Sequence, residues 1–443
     1  MSTNKFSNNG QGVNSTSLAV SSRLFITLGF ALALARPVVA VPFGIFDPRS
    51  LALGGAGVAA ASSENAVFYN PAILATYKEF KEKGNNEAFS FPTLSIRASR
   101  ALETLAEQRD SNYTQDISNS IAAYNASPTA ANARAVLNSI NNLNDTLGKV
   151  ANNVFMLDAS ASLVVGIPSK YQGGAFYVSH RGVGDGQLRV PATDTQQLGN
   201  YQQVLEHLAA GEPVPVDQYT NVYDGSNLID HSNDFTAEAN ARAAVISELG
   251  VSMSRQFDIM GSAFSFGITP KMVQVTSYDY HRSINNNRGD KTGTKDKDWR
   301  PNVDFGVLKM IGSQWRIGLV AKNLIERDYP VSTGQTVSFK PQWRMGVAYK
   351  MGDILYTVDM DLQRNAGVYP GNSAQYLLTG MEINHGFLRY RLGYRDTLAH
   401  TGPKEDGVFS AGLGLNFKPV YLDVAYSENH QQRAAGLMLG FNF

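Results

Sequence analysis

Ala434-Ala435-Gly436-Leu437-Met438-Leu439-Gly440-Phe441-Asn442-Phe443 closes the chain, and the reading of its two faces decides the fold. Ala435, Leu437, Leu439, Phe441 and Phe443 fall on one face at period two, while Gly436, Met438, Gly440 and Asn442 fall on the other. About ten residues of strand, apolar outside and small or polar inside, suffice to cross a bilayer at a tilt. At the edge of a soluble sheet such a strand invites aggregation. In a closed barrel both of its edges are paired.

The same alternation recurs upstream. Leu422 and Val424 oppose Tyr421 and Asp423; Leu388, Tyr390, Leu392 and Tyr394 oppose Arg389, Arg391, Gly393 and Arg395. Tyr356, Val358 and Met360 oppose Thr357, Asp359 and Asp361, and Trp343, Met345 and Val347 oppose Arg344, Gly346 and Lys350. Trp315, Ile317 and Leu319 oppose Arg316, Gly318 and Lys322. With less regular segments near 88–97, 159–168, 173–181, 243–254, 262–278, 301–310 and 374–384, the pattern predicts about fourteen strands.

The connections alternate long and short, from 98–158 (long), 169–172 (short) and 182–242 (long) through to the C-terminus. Short periplasmic turns and long outer loops are the habit of outer-membrane barrels. The expectation is an all-β, transmembrane antiparallel β-barrel spanning 88–443, with the 98–158 insert and the long 182–242 loop outside the cell. Within the insert, Ala133, Val136, Ile140, Leu143, Leu147, Val150 and Val154 step by three and four, a helical seam. Leu102, Leu105, Tyr113, Ile117, Ile121 and Tyr124 form a rougher stripe, and Ser127-Pro128-Thr129 separates the two, which predicts a helical hairpin. Its plain role is to cap the barrel mouth; the alternative is a protein partner bound there.

Arg23 precedes an uncharged run, Leu24 to Ala35, and Val38-Val39-Ala40 offers a small-residue cleavage site. Residues 1–40 read as a signal peptide for export to the outer membrane of a Gram-negative bacterium. With 40 Gly, 20 Tyr and 22 Phe but no Cys, the chain has no disulfide framework or thiolate metal site. Its net charge of zero gives no electrostatic reason to expect nucleic acid. No cofactor or metal is expected. The seven His are scattered without a partner Ser or acid at recognisable spacing, so no catalytic residue is assigned and the chain does not read as an enzyme.

Between signal and barrel, residues 41–87 carry Arg49-Ser50-Leu51-Ala52-Leu53-Gly54-Gly55-Ala56-Gly57, then Ala66-Val67-Phe68-Tyr69-Asn70-Pro71-Ala72. No GK[ST] follows the glycines, so a phosphate loop is a poor reading. Small residues let a segment thread close to other backbone inside a narrow lumen. This layout resembles the outer-membrane long-chain fatty acid transporter superfamily (FadL-like), in which a small N-terminal hatch plugs a fourteen-stranded barrel. Within it, these runs and Ala321-Lys322-Asn323-Leu324 look closest to the barrel family catalogued as conjugal transfer protein TraF. The resemblance implies a hatch with Gly54, Gly55, Gly57, Asn70, Pro71 and Ala72 as its motif. A terminal Phe on an alternating strand is similar to the signature that the barrel assembly machinery reads, which points to Phe441 and Phe443.

Two functions compete. A channel or transporter would pass a small molecule, with hydrophobic ones among the candidates, through a lumen carrying Arg316, Lys322, Arg344, Lys350, Asp359, Asp361, Arg389, Arg391, Arg395 and Asp423. These charges are also explained as simple bracing of the interior. Alternatively the barrel anchors a conjugal-transfer or surface-assembly protein that works through its outer loops. Outer-membrane lipid is a partner on either reading.

Overall fold

The computed structural model describes residues 41–76, 88–107, 111–151, 153, 155–168, 171–285, 290–295, 298–330, 336–369, 371–402, 404–417 and 419–442. The predicted signal peptide, the 77–87 end of the hatch segment, Val154 and Phe443 lie outside them. Eighteen strands are numbered in chain order. They are β1 Ala88–Ser99, β2 Phe155–Ile167, β3 Gln172–Arg189, β4 Glu238–Ile259, β5 Ser262–Ser283, β6 Asp290–Lys295, β7 Arg300–Ile311, β8 Trp315–Lys322 and β9 Arg327–Pro330. The rest are β10 Thr336–Phe339, β11 Gln342–Met351, β12 Ile354–Asp361, β13 Asn365–Ala366, β14 Ser373–His385, β15 Leu388–Thr401, β16 Val408–Phe417, β17 Val420–Glu428 and β18 Gln432–Asn442.

Fourteen of these close a ring of antiparallel neighbours. β12 pairs β14 across the 362–372 loop, and β1 pairs β18 at the join of the two chain ends. The four others are accessory: β6 adds to β5, β13 folds back on β14, and β9 and β10 form a separate hairpin. Closure leaves no unpaired edge, the condition for a sheet to sit in lipid.

Side chains sort by face as the alternation predicts. Leu392, Phe409, Leu413, Val424, Tyr426 and Leu437 are exposed on the wall, while Arg391, Ser410, Asp423 and Met438 are buried inside. Among the described residues no helix is long and apolar enough to cross a membrane. The closing strand is set by Ser95 opposite Gly436 and Leu94 opposite Leu437, and the Phe441 ring lies 6.3 Å from that of Phe89. Phe441→Ser removes one of these aromatic contacts and outer-face apolar area at the membrane interface. The variant should give less than a fifth of the wild-type heat-modifiable band on gels; an undiminished band would count against Phe441 as an assembly determinant.

Three strands run longer than the alternation suggests. β3 extends to Arg189, and β4 and β5 each span 22 residues. The 182–242 loop is therefore strand up to 189 and again from 238, with a helix, Ala192–Ala210, in between. Their outer ends carry the cap, so apolar residues there, such as Leu188 and Ala239, lie against protein instead of following the lipid alternation. Among the described residues the 98–158 insert holds three helices, Arg100–Glu107, Tyr113–Ala126 and Ala130–Val150. Ile117, Ile121, Tyr124 and the Ala133–Val150 seam are buried, and most of them share one cluster with Leu198, Tyr201, Val204 and Leu205 of Ala192–Ala210. Thr129 caps the longest helix by accepting from Asn132 N–H.

Candidate functional site

Residues 41–76 lie inside the barrel against its strands, nearly all of them buried. Asp47 opens the short helix Pro48–Ala52: its Oδ1 accepts from Ser50 N–H at 3.0 Å, and Pro48 supplies the φ that a first turn needs. Burial pushes the Asp47 carboxyl above its ordinary range, against the Ser50 N–H and the Arg49 charge that favour ionisation. After this helix the chain turns at Gly54 and Gly55, both left-handed at φ +71° and +98°. Here plug and wall touch backbone to backbone. A Cβ on Gly393 of β15 would lie 2.1 Å from Gly54 N.

The remaining motif residues engage other strands. Gly57 and Val58 N–H groups donate to Asp359 Oδ2 at 2.7 and 2.8 Å. Asn70 Nδ2 donates to Val58 O at 3.0 Å within the plug and to Val307 O of β7 at 3.2 Å, while its Oδ1 accepts from Ala72 N–H. Pro71 then begins the 3-10 turn Pro71–Ala75, and Ala72 packs against Gly267 of β5. Asn70 thus ties two plug segments and one strand together. That is work for a short side chain with both a donor and an acceptor.

The structure brings most of the sequence-predicted charges onto this segment or onto one another. Lys322 Nζ donates to Phe68 O at 3.0 Å, and the Arg344 guanidinium sits 3.9 Å from the Phe43 ring centre while Nε pairs with Asp361 at 2.6 Å. Arg391 bridges Glu382 (2.7 Å) and Asp423 (2.5 Å). Arg395 pairs with Glu405. Burial favours a protonated Glu405 carboxyl, but the Arg395 and Arg97 guanidiniums hold it below its ordinary range. Arg316 and Lys350 line a small cavity of about 60 Å³ beside Arg49 and Glu382. Arg389 is half-buried.

Sequence reasoning missed the partners. Arg49 of the plug meets Glu382 of β14 at 2.8 and 3.1 Å. Asp158 holds Arg97 and Arg181, and Lys271 lies 3.1 Å from both Glu248 and Asp304. These residues lie on the plug or on the less regular strands, where alternation is too weak to assign faces. Their signal was a lone charge inside an otherwise apolar or small run. Among the described residues no group of three His, Cys, Asp or Glu could hold a metal.

A second feature lies at the outer end. Between the insert helices and the ends of β3, β4 and β5 is a cavity of about 270 Å³. Leu102, Leu105, Leu143, Leu147 and Leu188 supply much of its apolar wall, and Tyr113 and Tyr280 its polar margin.

A closed antiparallel barrel of fourteen strands, apolar outside and braced inside by a buried N-terminal segment, has the architecture of outer-membrane barrels. The profile described as "F plasmid transfer operon, TraF, protein" matches residues 67–361, so the chain belongs to that family. Comparison with curated proteins gives no match. Among solved structures, a Pseudomonas aeruginosa FadL homologue is similar at 11% identity and a TM-score of 0.45, over 92% of this chain and 100% of that one. The P. putida toluene transporter TodX is similar at 10% identity and a TM-score of 0.34 (91% and 99% covered). The Ralstonia pickettii toluene transporter TbuX gives 11% and 0.36 (91% and 100% covered).

Proposed function

We propose that this chain passes a small hydrophobic molecule across the outer membrane, and that the molecule first binds in the cavity beneath the helical cap. The observation carrying this reading is the character of that cavity. An apolar recess on the water-facing side keeps oily surface in contact with solvent unless something apolar fills it. An apolar cavity of about 150 Å³ accommodates benzene, so about 270 Å³ suits a one- or two-ring aromatic or a short alkyl chain.

Replacing Leu143 and Leu147 together by Gln should lower the initial uptake of naphthalene into proteoliposomes at least tenfold at low concentration. That factor is the loss of about 1.4 kcal/mol of binding. Unchanged uptake by a double variant that still migrates as a folded barrel would remove the cavity from the path.

Family membership favours a second reading, an anchor for transfer or surface assembly that presents the cap to a partner. The segment 41–76, buried and bonded to several strands inside the barrel, supports it too. On that reading wild-type proteoliposomes take up naphthalene no faster than protein-free ones, while deletion of residues 111–150 abolishes partner capture.

A further inference from the structure

Under the outer 362–372 loop the lumen holds a separate space of about 70 Å³, bounded by β1–β3, β14, β15 and Pro42 of the plug. Most of its charged and hydroxyl groups are engaged. Arg97 pairs with Asp158 at 3.0 Å, and the Tyr376 hydroxyl donates to Glu405 at 2.5 Å. Glu405 also holds Arg395 and Gln432. Asp185 accepts from the Tyr369 N–H, Ser373 and Thr401 hydroxyls pair at 2.7 Å, and His400 Nδ1 lies 2.9 Å from Gly402 O.

Asn365 is the exception. It is one of the residues that line the cavity and is 3% exposed, yet neither Nδ2 nor Oδ1 has a hydrogen-bond partner. Among the described residues it is the one buried side-chain amide with both ends unpartnered. The backbone is held in place by pairing with Ala374, so the position is set by the sheet. Buried amides without partners are rare because burial strips away water's hydrogen bonds and returns nothing. The terminal torsion of Asn is broad, so a modest turn presents either atom to the cavity.

We propose that this cavity binds a small uncharged molecule whose head both donates and accepts a hydrogen bond, an amide or an alcohol, and that Asn365 reads that head. The carboxamide offers one donor group and one acceptor side by side, which such a head complements. Neutrality follows from the lining: Arg97 and Glu405 are already in ion pairs and Asp185 is engaged by the Tyr369 N–H, so an ionised ligand would be buried without an unengaged counter-charge. The space exceeds what a single water needs by several-fold, and its other walls (Met156, Val183, Ala374) are apolar enough to hold a short carbon body. This site is separate from the outer cavity and stands whether or not the barrel transports.

The test uses the full chain in detergent micelles, labelled with ¹⁵N-asparagine, with the Asn365 side-chain signal assigned by its loss in Asn365→Leu. Titration with acetamide and with 2-propanol should shift that signal saturably. Asn365→Leu should bind acetamide at least tenfold more weakly and bind xenon, an apolar filler, more strongly. Heat-modifiable migration identifies folded variants, and Asn365→Ser serves for the acetamide measurement if the Leu variant fails to assemble. A linear, unsaturable shift, equal acetamide binding by the folded variant, or an Asn365 amide contacted only by water at high acetamide would each overturn the proposal.

Discussion

Gly393→Val is expected to abolish barrel assembly, leaving no heat-modifiable species in the outer-membrane fraction. Gly393 faces the lumen from β15, where its Cβ would lie 2.1 Å from Gly54 N, 2.4 Å from Leu53 C and 2.6 Å from Ala52 O. All three are backbone atoms of the plug, so no side-chain rotation makes room. The plug is held against moving away because Asp359 of β12 grips its next turn at the Gly57 and Val58 N–H groups. Overpacking a filled core costs about 1–3 kcal/mol where side chains can adjust; here only a displaced strand relieves the overlap, and the cost is larger. Gly182→Ala is the control: Gly182 sits on β3 with nothing within 4 Å of the methyl group that Ala would add, and this variant should assemble at the wild-type level. A folded Gly393→Val barrel of wild-type thermal stability would show that the plug is not seated against β15.

The contrast between these two glycines bears on how far a sequence can be read. Alternation puts Gly393 on the lumen face with Arg391 and Arg395, but nothing local says that the backbone of residues 52–54 touches it there. The faces of β8, β11, β12, β15, β17 and β18 were legible because lipid on one side and a polar lumen on the other impose a strict period of two. Arg391, Asp423, Asp359 and Arg344 could therefore be placed inside from spacing alone. Where protein replaces lipid, the rule lapses. The outer ends of β3, β4 and β5 pack beneath the helical cap, so Leu188 and Ala239 fall where the alternation predicts only loop.

The seam Ala133–Val150 was legible for the same reason as the strands, a period imposed by one buried face. What the sequence withheld is long-range pairing. Arg49 and Glu382 are 333 residues apart, and no spacing rule joins them. Asn365 was invisible for a related reason: its significance is the absence of a partner, which only a three-dimensional inventory reveals.

That long-range pair supports the second large effect. Glu382→Gln should destabilise the folded barrel by about 3–5 kcal/mol, the usual consequence of removing one partner from a buried ion pair. Glu382 is 1% exposed and accepts from Arg49 at 2.8 and 3.1 Å and from Arg391 at 2.7 Å. Removing its charge leaves two buried guanidiniums facing each other, with Asp423 beside Arg391 and Asp47 near Arg49 as nearby counter-charges. Arg49→Met should cost less, since Glu382 keeps Arg391 and the Met stem retains much of the Arg packing. The double variant Arg49→Met/Glu382→Gln should be more stable than the sum of the two single losses by roughly 1–3 kcal/mol, because the cation stranded by the first change is gone. Urea titration of the heat-modifiable band reads all four proteins on one scale. Strict additivity would mean that Arg49 and Glu382 do not feel each other, and the plug would then be held by packing and by Asp359 and Asn70 without this ion pair.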